Sequence, residues 1–166
     1  LQLKILVEVL SEPPKQSSRP SRRAAGTAPK PVVDARLADL ADETLLLNVS
    51  RRLRDAVPQL LLLLAPRHPQ RFAEVEQILE AGGYRYHKRS QQVNLAPTEI
   101  EVFLLDTLGE LVSFYPGAAL TFVGGSLSKG PGGHSVIEPA LAQVPVCFGP
   151  YTRNFSTVVE ELLRDG

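Results

Sequence analysis

The residues best suited to chemistry fall in four short polar runs. Pro66-Arg67-His68-Pro69 sets a guanidinium and an imidazole between two prolines, directly after the apolar run Leu60–Ala65. A lone surface arginine is usually solvated, but one held stiffly after a buried strand is suited to an anion or a base, since guanidinium pairs well with both. The stretch from Gly124 to Gly133 holds five of the chain's 12 glycines and runs into His134-Ser135-Val136-Ile137-Glu138. Glycines let the backbone come close to a ligand, and the free N–H groups of a helix start present about half a positive charge. That combination suits a phosphate. The loop is neither a Walker A sequence nor the dinucleotide fingerprint, so it would hold its anion in another way.

Each of these residues also has a purely structural reading. Ser135 and Glu138 fit a capping box, in which the hydroxyl and the carboxylate close the helix start. Glu138 could equally accept hydrogen bonds from ribose hydroxyls while the amides bind phosphate. His134 could donate to a phosphate or pack against the loop. Asp106-Thr107-Leu108-Gly109-Glu110 contains a second capping box, Thr107 with Glu110, and its backbone near Leu108 and Gly109 would face the same crevice. Lys129 is a cation candidate and also reads as a solvated loop lysine.

These runs must be positioned by a fold, and 166 residues with 43% hydrophobic content suffice for one domain. Lys and Arg number 18, as do Asp and Glu, so no global field points to nucleic acid, and none is expected as a partner. The single cysteine, Cys147, lies in an apolar strand pattern and reads as buried packing. No His or Cys spacing suits a metal, and neither a metal nor a cofactor is expected. The longest apolar run is far short of the roughly 20 residues that span a bilayer, so the chain itself is expected to be soluble. Methionine is absent even at position 1, which leads to the expectation of a piece of a longer protein.

Residues 1–10 read as a candidate strand. Residues 11–41 read as a flexible or atypical linker, because the Pro-, Ser- and Arg-rich part of this stretch buries too little to offset its entropy. Residues 42–166 read as the binding domain. The periodicity predicts a helix over Val33–Val57 and a buried strand over Gln59–Ala65. It predicts a helix over Arg71–Ala81 and an edge strand over Tyr84–Lys88. A strand over Ile100–Leu105 and a helix over Thr107–Tyr115 come next. Leu120–Val123 is a strand, a helix starts at Ser135, Val146–Phe148 is the last strand, and Phe155–Arg164 the last helix. Alternating strands and helices imply an α/β fold, a Rossmann-like parallel sheet with helices on both faces. Ligands bind beyond the carboxyl ends of such strands, which is where all four polar runs fall, the fourth being Gly149–Asn154.

The stretches LLLLLAPRHPQRFAEVEQIL, LLDTLGELVSFYPGAALTFVGGSL and GGHSVIEPALAQVPVCFGP, with the following NF, resemble the C-terminal half of the 3-deoxy-D-manno-octulosonate (Kdo) transferases. They run in the family's order from about Gln59 to Gly166. The resemblance implies the C-terminal domain of a glycosyltransferase B-type fold. It implies CMP-Kdo as donor, no metal ion, and a lipid A precursor as acceptor, reached through an N-terminal domain that also carries the general base and the membrane association. No catalytic residue is then expected in this chain, and the fragment alone should be inactive. The family works at the cytoplasmic face of the bacterial inner membrane in lipopolysaccharide synthesis. By position, Pro66, Arg67, His68, Leu108, Gly109, Glu110, Gly133, His134, Ser135, Val136, Ile137 and Glu138 would contact CMP.

Three features depart from the family pattern. Ser135 stands where an asparagine is usual, the run Ser128–Pro131 is one residue longer, and Pro13–Glu43 lacks the expected Thr-His-Glu-type run. Two other readings of the same architecture stay open at this point. One is a nucleotide-sugar epimerase-like enzyme, the other a non-catalytic nucleotide-binding module.

Overall fold

The run Leu60–Ala65 lies at the heart of the molecule. The structure, a computed structural model, describes residues 32–37, 40–91 and 99–165. It contains β1 (Val32–Leu37), α1 (Leu40–Ala56), β2 (Leu61–Pro66), α2 (Phe72–Ala81), β3 (Tyr86–Lys88), β4 (Val102–Leu104), β5 (Leu120–Val123), α3 (Ile137–Leu141), β6 (Val146–Phe148) and α4 (Ser156–Asp165). The six strands form one sheet in the order β3-β4-β2-β1-β5-β6, and every pairing is parallel.

Alternate residues of β2 enter different cores, which explains why nearly every position of that strand is apolar. Leu62 and Leu64 join Leu46 and Leu47 of α1, Val75 and Leu79 of α2, and Val102 and Leu104 of β4. Leu63 and Ala65 pack on the other face with Leu105, Phe103, Leu111 and Phe114. Farther along that face, Val123 and Val136 meet Val159 of α4. The sheet is therefore covered on both sides, as the Rossmann-like reading expects. Among the described residues no helix is long and apolar enough to cross a membrane.

The helix expected over Val33–Val57 divides in two. Residues 32–37 form β1, the strand between β2 and β5, with Val33 opposite both Leu62 and Leu120. The segment VVDARL alternates at period two and begins with two β-branched residues, so it fits a pleat. Leu37 and Leu40 satisfied the helical period by coincidence. The sheet thus takes in residues 32–37 of the segment read as a linker. The candidate strand at 1–10 and residues 11–31 lie outside the described residues. The helix expected over Thr107–Tyr115 is replaced by two 3-10 turns, Leu111–Ser113 and Tyr115–Gly117, because Pro116 and Gly117 leave too few residues for α-helical turns to accumulate. Cys147 is half-buried rather than buried, since β6 is an edge strand; burial still raises its thiol pKa.

Candidate functional site

All-parallel pairing brings the polar ends of the strands to one side, where they enclose a crevice of about 390 Å³. Ala65, Pro66 and Arg67 line it from the end of β2, and Leu105, Thr107, Leu108, Gly109 and Leu111 from the end of β4. Gly133, His134 and Ser135 come from the loop after β5, and Asn154 and Phe155 from the loop after β6. The chain crosses from one half of the sheet to the other between β4 and β5, so the crevice sits where connections reverse, the usual ligand position in open parallel sheets.

Arg67 Nη1 donates to His134 Nδ1 at 2.8 Å, linking the first loop to the glycine loop. A guanidinium can only donate, so His134 Nδ1 accepts and its ring proton resides on Nε2. Arg67 is the one permanently charged side chain among the lining residues, and no carboxylate lines the crevice. Leu105, Leu108, Leu111 and Phe155 supply apolar wall. One fixed cation beside an apolar wall suits an anion attached to a flat ring system.

The glycine loop is pinned from several sides. Gly133 adopts φ +83°, and a Cβ there would lie 3.2 Å from the Tyr151 carbonyl oxygen, so glycine is needed twice over. Its N–H donates to the Gly125 carbonyl at 2.8 Å. Asn154 Nδ2 donates to the Pro131 carbonyl at 2.9 Å and to that of Gly133 at 3.3 Å. On the β4 side, Asp106 accepts from the backbone N–H and the hydroxyl of Ser90 at 2.9 and 2.5 Å. Glu110 accepts from Thr107 Oγ1 and from Arg89 Nη2, and these bonds hold its carboxyl below the usual range.

Seven of the twelve residues expected to contact the nucleotide line the crevice: Pro66, Arg67, Leu108, Gly109, Gly133, His134 and Ser135. The other five are not among its lining. His68 is exposed and precedes the 3-10 turn Pro69–Arg71. Glu110 turns toward Arg89. Val136 is packed into the core, Ile137 is 40% exposed, and Glu138 lies in the first turn of α3.

Both capping boxes differ from expectation. Ser135 Oγ accepts from the Ile137 N–H at 3.3 Å, but α3 begins only at Ile137, with Val136 at its N-cap. Thr107 and Glu110 bond side chain to side chain. With five residues, α3 aligns too few peptide dipoles for a strong terminal charge. Arg67 and the loop amides are therefore the stronger groups that the crevice offers to an anion. Among the described residues no group of three His, Cys, Asp or Glu side chains could hold a metal ion.

No family model matches the chain. The fold resembles the crystal structure of the C-terminal CMP-Kdo binding domain of WaaA from Acinetobacter baumannii, with a TM-score of 0.75 and 32% identity, over 82% of this chain and 70% of that one. The chain belongs to the Kdo transferase family. The 3-deoxy-D-manno-octulosonic acid transferase of Bordetella pertussis is 35% identical over 156 residues, 92% of this chain and 36% of that protein. That of Haemophilus influenzae is 37% identical over 136 residues, 81% of this chain and 31% of that protein. The chain spans about a third of the length of these curated Kdo transferases. A match over 92% of the chain also reaches into residues before Asp42, farther than the motifs from Gln59 onward. The epimerase-like reading is not favoured by these likenesses.

Asp42 and Glu43, which brace the loops around the crevice, carried no local signal. Asp42 Oδ2 accepts from the Gly125 N–H, and Glu43 is paired with Arg71. In the sequence the two acids look like ordinary first-turn residues facing the helix dipole. Ser126, within the glycine loop itself, is fully buried. Asn154 lines the crevice, and the sequence marked it as the end of the polar run Gly149–Asn154 and as part of the NF pair.

Proposed function

We propose that the crevice binds the cytidine monophosphate moiety of CMP-Kdo, and that the chain is the donor-binding part of an enzyme that transfers Kdo to a lipid A precursor. The supporting observation is the Arg67–His134 pair, a fixed cation and an imidazole facing each other across a crevice free of carboxylates. The phosphate sits against Arg67 and the amides near Gly133–Ser135, displacing the bond between Arg67 and His134. Leu108 and Gly109 border the base. Glu138 serves the ribose hydroxyls, with Val136 and Ile137 placing it, and His68 and Glu110 flank the entrance.

In the transfer, the bond from the Kdo anomeric carbon to the phosphate oxygen breaks and its electron pair stays on CMP. The acceptor hydroxyl bonds to the same carbon and gives its proton to a general base in the acceptor-side domain. Charge grows on the departing phosphate, and a preorganised guanidinium and fixed amides stabilise it more than they stabilise the intact donor. The reaction takes place at the cytoplasmic face of the inner membrane, with membrane contact made by the acceptor side. This chain alone transfers no Kdo.

Titration with CMP and UMP tests the reading. CMP should bind better than UMP. Arg67→Ala should weaken CMP about 10- to 100-fold, as expected for loss of a hydrogen bond between charged partners. Equal affinity of wild type and Arg67→Ala for CMP would refute it.

A further inference from the structure

Asp42 and Glu43 are adjacent in the first turn of α1, yet they are only 2% and 0% exposed. A charge withdrawn from water persists only when it is paired and hydrogen-bonded, so each must have a defined structural task. Glu43 accepts two parallel bonds from Arg71, from Nη1 at 2.9 Å and Nη2 at 2.7 Å. The Arg71 backbone N–H donates to the His68 carbonyl at 2.9 Å, closing the turn that follows Arg67. Asp42 Oδ2 accepts from the Gly125 N–H at 2.7 Å. The Gly125 carbonyl accepts from the Gly133 N–H at 2.8 Å, and Gly133 precedes His134. The Arg67–His134 bond then completes a closed ring that leaves α1 by one acid and returns by the next.

We infer that Asp42 and Glu43 are positioning residues for the nucleotide, Glu43 acting through Arg71 on Arg67 and Asp42 acting through Gly125 on His134. The inference rests on the crevice being the CMP site, although the ring itself does not. With either acid removed, one wall of the crevice loses its tether, and binding must order that loop at the moment of association. The device lies outside every residue that would touch the ligand.

The test uses the 166-residue chain as wild type, Glu43→Gln, Asp42→Ala and the double variant Glu43→Met with Arg71→Met. Replacing the buried Glu43 and the partly buried Arg71 by apolar side chains leaves no buried charge uncompensated, since Glu74, the other partner of Arg71, is half exposed to water. The double variant therefore separates stability from positioning. Three quantities are measured: Tm, the CMP dissociation constant by NMR titration, and the His134 imidazole nitrogen shifts, which report the bond from Arg67. In all three variants the His134 shifts should move and CMP binding should weaken about tenfold, with the double variant melting close to wild type. Wild-type CMP affinity and His134 shifts in the double variant would overturn the inference and leave the pair a stabilising role only. Unchanged His134 shifts in Asp42→Ala would overturn the other arm. If the wild type binds no CMP, the nucleotide reading fails, while the His134 shifts still decide whether the two acids set the pair.

Discussion

Ser126→Ala should destabilise the fold by about 2–4 kcal/mol, because one buried hydroxyl joins the ends of two strands. Ser126 is 0% exposed. Its hydroxyl donates to the Val123 carbonyl at 2.6 Å and accepts from the Gly149 N–H at 2.8 Å. Alanine removes both bonds and leaves the buried Gly149 N–H without this acceptor. An unsatisfied buried group costs about 1–3 kcal/mol, and the weakened carbonyl adds about 1 kcal/mol. The two backbones approach closely there, since a Cβ on Gly149 would lie 2.2 Å from the Ser126 carbonyl oxygen. Domains of this size are stable by about 5–15 kcal/mol, so the loss is a large fraction of the whole. In urea unfolding, with a slope of about 2 kcal/mol/M, the midpoint should fall by about 1–2 M. A fall below about 0.3 M at unchanged slope would refute the bridging role.

Leu104→Ala should cost about 2–5 kcal/mol in the same assay, since Leu104 is 0% exposed at the centre of the larger core and its removal leaves a cavity. Acid should also destabilise the chain through two glutamates. Glu76 is held below the usual carboxylate range by a hydrogen bond from Lys88, and Glu110 by Thr107 and Arg89. A lowered folded-state pKa contributes stability that is complete above the unfolded value of about 4.3 and is lost as pH falls through the folded-state value. The urea midpoint should therefore drop from about pH 5 downward, and Glu76→Gln should flatten part of that slope. A wild-type midpoint constant between about pH 5 and pH 3 would contradict this assignment.

The parallel sheet was readable because β2 is apolar at nearly every position and because helix stops are spelled out at Pro58 and Gly82-Gly83. Leu120–Val123 and Val146–Phe148 were placed to the residue, each a short apolar run ended by glycine. Residues 32–37 were misread because a six-residue strand offers only three alternations, and Leu37 and Leu40 extended the helical period backward across its end. Pro66, Arg67 and Gly133–Ser135, which line the crevice, stood out by composition and by their place after apolar strands. What holds them did not. The Asp42–Gly125 contact joins residues 83 apart and Glu43–Arg71 residues 28 apart, and pairings at that range depend on the completed sheet rather than on local pattern. The turn Leu111–Ser113 failed as a helix for a local reason, the nearby Pro116-Gly117, which competed with a good apolar period.

The most direct test of the proposed nucleotide site is an amide-resolved NMR titration of the chain with CMP. The largest shifts should fall on Arg67, Leu108, Gly109 and Gly133–Ser135, around the crevice at the carboxyl ends of β2, β4 and β5. Shifts concentrated on other surfaces, or none at saturating CMP, would contradict it.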